Sequence, residues 1–351
     1  MGFYDMLPEL LLLVANNLAL GDLANFRSTC YWLWDVLTPR FQKLCLRDSG
    51  ELTTIQWAAV RGHSELIKLA ILNGANIEEP FSGQLTLTAL GVPSKFEKHD
   101  PRHPCKLANG YNIYQAFKTT ICTPLFLAAC CGHAKAIKVL LDHGASTQCP
   151  TGIMTPAHAA ASRGDVPCMQ VLVRPGFDIS AQGVDGCSIL HNALTGGVEM
   201  MKYIFQLDGG TNLVNARTRE GLTPLHSVTE VNLALQGLEI ELLLQHGADM
   251  YAKDKYGNLP VECLASRGNL ECVQIFIEAG YDLYTIGRDG QTILHCAIFG
   301  GEEMVVYLLR QEGGRAFIEI EDNFRLTAMD YAFETRRWKV ADVLYRHGAQ
   351  R

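Results

Sequence analysis

The run Thr123–Ala145, TPLFLAACCGHAKAIKVLLDHGA, reads as helix, turn, helix and stop. Thr123 is placed to cap a helix whose first residue, Pro124, has no N–H to leave unpaired. Leu125, Ala128 and Ala129 put small and apolar groups on one side, and Gly132 ends the helix, as glycine does in a left-handed position. The second helix carries Ile137, Leu140 and Leu141 at i, i+3, i+4 spacing, and Gly144 stops it. Helices this short are marginal alone, and the pair has too little apolar surface for its own core. A unit of this kind becomes stable by stacking on copies of itself.

The copies follow in register. Units start at Thr123, Thr155, Ser188, Thr223, Leu259, Thr292 and Thr327, at intervals of 32, 33, 35, 36, 33 and 35 residues. Three starts share a wording: Thr155-Pro156-Ala157-His158, Thr223-Pro224-Leu225-His226 and Thr292-Ile293-Leu294-His295. Three stops read His-Gly-Ala, at His143, His246 and His347. Before the starts stand Asp185-Gly186, Glu220-Gly221, Tyr256-Gly257 and Asp289-Gly290, pairs suited to tight hairpin tips. Period and wording together resemble the ankyrin repeat over roughly the last three hundred residues. The resemblance implies that the helix-start histidines His158, His191, His226 and His295 tie neighbouring loops together by hydrogen bonds.

Composition narrows the function classes. The chain has 351 residues, 48% of them hydrophobic, and a net charge of −7. That length suits a linear array, since repeat proteins grow without needing one large core. An acidic balance with no run of Lys and Arg argues against nucleic acid as a partner. No window approaches the eighteen or so consecutive apolar residues of a membrane helix. Twelve cysteines, most within helical patterns, read as small buried residues in a reducing compartment, which points to cytosol or nucleus. The N-terminus lacks the marks of an export signal, because Asp5 and Glu9 flank its apolar run, and Met6 disfavours myristoylation.

Residues 1–48 leave the repeat and read as three short helices. Pro8 opens the first, Asp22 caps the second, and the third runs from near Tyr31 towards Pro39. Met6-Leu7-Pro8-Glu9-Leu10-Leu11, then Leu18, Asp22-Leu23, Thr29-Cys30 and Leu33 resemble an F-box. The match departs by one position at Leu7-Pro8. The order, F-box then ankyrin array, is similar to the F-box/ankyrin proteins of filamentous fungi. The resemblance implies a substrate-recognition adaptor: the F-box docks a Skp-type adaptor of a cullin ubiquitin ligase, and the repeats hold a target protein. Leu7, Pro8, Leu11, Leu23, Phe26 and Leu33 would form the docking face. The other reading is a non-ligase ankyrin scaffold whose N-terminal helices cap the array.

The array occupies 49–351. Its first unit starts at Thr53, 70 residues before Thr123, with one large insertion, 82–121, in between. That gives an all-α solenoid of about eight repeats. The insertion holds His99, His103 and Cys105, with Cys122 beyond, in a spacing that matches no zinc site; polar loop residues are the expected reading. No nucleophile elbow, phosphate-cradling glycine loop or His-Glu-x-x-His run occurs, so neither enzymatic activity nor a cofactor is expected. The last unit presents Arg336, Arg337, Lys339, Asp342 and Arg346, a polar coat suited to a cap. For the target site, Arg61, Arg163 and Arg267 each precede the interhelix glycine. Equivalent positions align in a stack, which makes these arginines the candidate target-binding strip on the concave face, suited to an acidic or phosphorylated segment.

Overall fold

A computed structural model describes residues 53–72, 74–80, 122–148, 154–228 and 236–349. The chain divides between Val184 and Asp185 into two compact units. The fold is all-α, and eight helix pairs lie among the described residues.

In the N-terminal unit the pairs are α1 (Thr54–Arg61) with α2 (Ser64–Leu72), α3 (Pro124–Cys131) with α4 (Ala134–Asp142), and α5 (Pro156–Arg163) with α6 (Val166–Leu172). In the C-terminal unit they are α7 (Ile189–Gly196) with α8 (Val198–Gln206), and α9 (Pro224–Ser227) with α10 (Gln236–Gln245). Then follow α11 (Pro260–Ser266) with α12 (Leu270–Glu278), α13 (Ile293–Gly300) with α14 (Glu302–Arg310), and α15 (Ala328–Glu334) with α16 (Trp338–Arg346). Residues 1–52 and 81–121 lie outside the described set, and with them Leu7, Pro8, Leu11, Leu23, Phe26, Leu33, His99, His103 and Cys105.

Within each unit, like packs on like. α1 packs on α3 and α3 on α5, while α2 packs on α4 and α4 on α6. In the other unit the first helices α7, α9, α11, α13 and α15 succeed one another in contact. The first helices can approach closely because alanines line them: Ala58, Ala59, Ala128, Ala129, Ala160, Ala193, Ala265, Ala297 and Ala332 are all fully buried. Their partners supply the larger groups, such as Leu66 and Ile67, Ile137 and Leu140, Val273 and Phe276, and Val305 and Leu308. Neither helix of a pair could shield this surface alone, so the core is one that only neighbours complete.

The boundaries have local causes. Thr123 Oγ1 accepts from the Phe126 N–H at 3.3 Å, and Thr155 Oγ1 from that of His158 at 3.4 Å. Gly132 ends α3 at φ 79°, with its N–H on the Ala128 and Ala129 carbonyls. At the tips, Asp185-Gly186 and Asp289-Gly290 both have positive φ through both residues, the mirror-image turn that a hairpin requires. Successive tips are laced by backbone bonds: Arg219 N to Asp185 O, Lys255 N to Glu220 O at 2.9 Å, and Asn323 N to Asp289 O at 2.9 Å.

Candidate interaction surfaces

The helix-start histidines form one repeated device. In His191, His226 and His295, Nδ1 accepts the backbone N–H of the cap residue, Ser188, Thr223 and Thr292 respectively, at 3.1–3.2 Å. That fixes the remaining proton on Nε2. Nε2–H then donates across to the next repeat, to the carbonyls of Leu222 (3.1 Å), Asn258 (3.2 Å) and Leu326 (3.1 Å). Burial pushes the pKa of His226 and His295 down, so both stay neutral, as the geometry requires. These rings join neighbouring loops, as the resemblance implies. The stop histidines act within their own helices. Nδ1–H of His143, His246 and His347 donates to the carbonyl four residues back, at 2.8–2.9 Å, where a helix end leaves acceptors unpaired.

Four starts depart from the device, with Gln56, Phe126, Glu262 and Asp330 where the others carry histidine. Of these, Glu262 is a buried carboxyl. Its Oε2 accepts the Leu259 N–H at 2.9 Å, reproducing the cap, but Oε1 is buried with no hydrogen-bond partner. A Cβ at Gly287 would collide with Oε1. The equivalent tip residues elsewhere are Asp254 and Asp322, whose own carboxylates receive the tip amides at 2.8–3.0 Å. Glu262 therefore fills the space that the missing side chain at Gly287 leaves. Burial pushes its carboxyl up to about 7, against the pull of the Leu259 amide. A second buried carboxyl, Glu239 on α10, is pushed up to about 8 by burial alone, and its Oε2 is also without a hydrogen bond. The sequence signal for Glu262 is a start that carries Leu259 and Glu262 in place of threonine and histidine; for Glu239 there is none.

The candidate arginines are exposed at the ends of first helices: Arg61 closes α1, Arg163 closes α5, and Arg267 follows α11. In the N-terminal unit the interhelix turns stack. His133 lies over Gly62, where an added Cβ would meet its ring at 2.6 Å, and its Nε2–H donates to the Val60 carbonyl at 2.9 Å. Arg163 folds over Gly132, and Asp165 reaches the same point. The Cys131 thiol between them is pushed up to about 11 by burial, opposed by Arg163 and Arg61 together, so the two guanidinium groups share one neighbourhood. Asp165 offsets part of that positive field. Arg267 belongs to the other unit.

Among the described residues no group of three His, Cys, Asp or Glu could hold a metal, and no helix is long and apolar enough to cross a membrane. Cys122 is fully buried. The described cysteines are free thiols, and burial raises the pKa of Cys131, Cys168, Cys272 and Cys296, away from nucleophilic thiolate. The hairpin tips of the C-terminal unit, by contrast, expose aromatic and charged groups. Tyr256 donates to Glu220 at 3.0 Å beneath Lys255, which is itself paired with Glu220.

Overlapping matches to a family model for ankyrin repeats in three copies run from residue 105 to residue 350. The chain belongs to the ankyrin-repeat family. It is similar to the transient receptor potential cation channel subfamily A member 1 homolog of Caenorhabditis elegans, 30% identical over 188 residues, 53% of this chain and 15% of that one. It is also similar to human ankyrin repeat and SOCS box protein 16, 28% identical over 62% of this chain and 48% of that protein. Against the E3 ubiquitin-protein ligase KEG of Arabidopsis thaliana, identity is 23% over 57% of this chain and 15% of the relative. The chain thus spans less than half of each of these relatives. Among solved structures, the ankyrin repeat domain of Bcl-3 superposes with a TM-score of 0.52 at 22% identity, covering 74% of this chain and 99% of that one. This ankyrin-repeat array is a protein-interaction domain.

Proposed function

We propose that the array is the target-binding half of a substrate-recognition adaptor for a Skp–cullin–F-box ubiquitin ligase, working in the cytosol or nucleus. The observation that carries this reading is the Leu-Pro-Glu-Leu-Leu run ahead of the repeats, continued by Asp22-Leu23 and Leu33. Two relatives support it by their names, one an E3 ubiquitin-protein ligase and the other an ankyrin repeat and SOCS box protein. The chain would contribute proximity rather than chemistry, raising the effective concentration of the target at the ligase. Arg61, Arg163 and Arg267 would contact an acidic or phosphorylated stretch of that target.

The test is co-purification of a Skp-type adaptor and cullin with the full chain. Replacing Leu7, Leu11, Leu23 and Leu33 by Ala should abolish recovery of both, while the helical circular dichroism of the array persists. Undiminished recovery from the quadruple variant rejects the ligase reading and leaves a protein-binding scaffold. For the arginines, Arg163→Glu and Arg267→Glu should weaken a recovered target and flatten the salt dependence of its binding. Unchanged affinity at both low and high salt removes them from the site.

A further inference from the structure

One loop occurs twice in the C-terminal unit. At the end of α8 the chain runs Gln206-Leu207-Asp208-Gly209-Gly210-Thr211, and at the end of α14 it runs Arg310-Gln311-Glu312-Gly313-Gly314-Arg315. The two are built alike. Leu207 and Gln311 leave their helices in extended backbone, and Gly209 and Gly313 turn left-handed at φ 77° and 75°. The Gly210 N–H donates to the Leu207 carbonyl and the Gly314 N–H to that of Gln311, both at 2.9 Å. A Cβ on Gly210 would strike the Ile204 carbonyl, and one on Gly314 the Leu308 carbonyl. Next in each loop Leu213 and Val214, or Phe317 and Ile318, are buried.

The copies differ in what they present. Gln206 and Thr211 are exposed on the first, and Arg310 and Arg315 stand exposed in their places on the second. Since the first loop folds with neutral residues at both sites, the turn does not need the arginines. Neither arginine enters an ion pair among the described residues. The contact with the next repeat differs too. In the first copy Phe205 lies flat against His246, with ring centroids 3.9 Å apart. In the second the corresponding residues are Leu309 and His347. An open cavity of about 560 Å³ is lined by both of them, by Arg310 and Arg315, and by the loop between the two arginines.

The lining selects the occupant. Among the described residues that form it there is no carboxylate. The His347 Nδ1–H donates to the Val343 carbonyl at 2.8 Å, which leaves Nε2 as the ring nitrogen that can meet a ligand. Tyr284 pins the loop by donating its hydroxyl to the Gly313 carbonyl at 3.1 Å, so both arginine stems start from a fixed turn. A guanidinium matches the oxygens of a phosphate in pairs, and two guanidinium groups suit its two charges, where a carboxylate would occupy only one. The volume falls within the roughly 300–1,000 Å³ of small-ligand sites, and a bare phosphate would leave most of it unfilled. Leu309 and Ala316 give the remainder an apolar wall. We propose that this cavity binds a small organic phosphate, with the phosphate between Arg310 and Arg315 and the carbon frame against Leu309 and Ala316. The site lies wholly in the C-terminal unit, and it survives or fails without the ligase reading.

Calorimetric titration of the full chain tests it, with inorganic phosphate and with a panel of sugar phosphates, nucleoside monophosphates and inositol phosphates. At least one organic phosphate should bind one to one and more tightly than inorganic phosphate, and its unphosphorylated parent should not bind. Arg310→Gln with Arg315→Thr gives the second loop the residues of the first. Helical circular dichroism and melting temperature should therefore hold, while affinity falls roughly tenfold for each arginine removed. Full affinity in that double variant overturns the proposal. So does a panel in which nothing binds more tightly than inorganic phosphate. A phosphoserine peptide that outbinds every free phosphate, and loses its affinity in the double variant, would make the cavity a dock for phosphorylated protein and overturn the small-molecule reading.

Discussion

Glu262 shows how one residue can keep a repeat's form while changing its response to pH. It retains the backbone cap made by histidine in other repeats, but it places a carboxyl where no solvent reaches. Its pKa is about 7 in the fold against 4.5 for an ordinary glutamate, so between those values the native state binds more protons than the unfolded chain. Stability from this group therefore falls as pH rises from about 4.5 to about 7, and stays reduced above that. Replacing Glu262 with Gln should change little near pH 4.5. By pH 8 it should stabilise the fold by on the order of 2–3 kcal/mol. Urea titrations of both proteins at pH 5 and pH 8 read the difference directly, and an equal gain at both pH values would show that ionisation is not the cause. The neutral histidines pull the other way, since charging His226 or His295 opposes folding below about pH 6.5, which is why the variant difference is the informative quantity. His295→Ala should cost about 2–4 kcal/mol by urea titration. It removes bonds to Thr292 and Leu326 and leaves a carbonyl unpaired in a filled core.

At the level of the helix pair, the glycines fall into two kinds that sequence alone does not separate. Gly280 at a stop and Gly268 at an interhelix turn both have positive φ, at 91° and 75°. Around Gly280 there is open space, whereas a Cβ on Gly268 would stand 2.6 Å from the backbone carbonyl of Gly300 in the next pair. Gly280→Ala should cost only its left-handed strain, about 1 kcal/mol. Gly268→Ala adds a collision with backbone that cannot rotate away, and should cost about 2 kcal/mol more. Equal denaturation midpoints for the two variants would mean that the α11–α13 contact relaxes more freely than the close approach suggests. Arg336→Gly is the converse case, in which a left-handed residue with a side chain is replaced by one without. It should stabilise α15 and α16 by about 1 kcal/mol, measured as slower amide exchange in that pair.

For the molecule as a whole, stability is a sum over neighbours, and each of the two units holds a core of its own. Asp185–Arg351 expressed alone should give a helical circular dichroism spectrum and a cooperative melt; a featureless melt would show that this unit does not hold itself together. Most of this organisation is legible in the sequence. The threonine caps, the glycine stops and the alanine-lined first helices follow from residue types at fixed spacing, because each feature is local and recurs in register along the array. Glu239 is not legible, because a glutamate on a helix reads as solvated until a neighbouring pair is placed over it. The exposure of Trp338 and Tyr345 is hidden for the opposite reason, since aromatic residues at helical spacing read as core.

The sequence by itself determined the family, the period, the helix ends and the histidines that join one loop to the next. All of these rest on backbone conformation and on contacts a few residues long or one period apart. Only the tertiary structure decided which glycines lie beneath a neighbour, which carboxyls are buried, and which large aromatic groups are exposed among the described residues. Those depend on what surrounds a residue in space, and a repeat writes nearly the same letters whether or not the next layer is present.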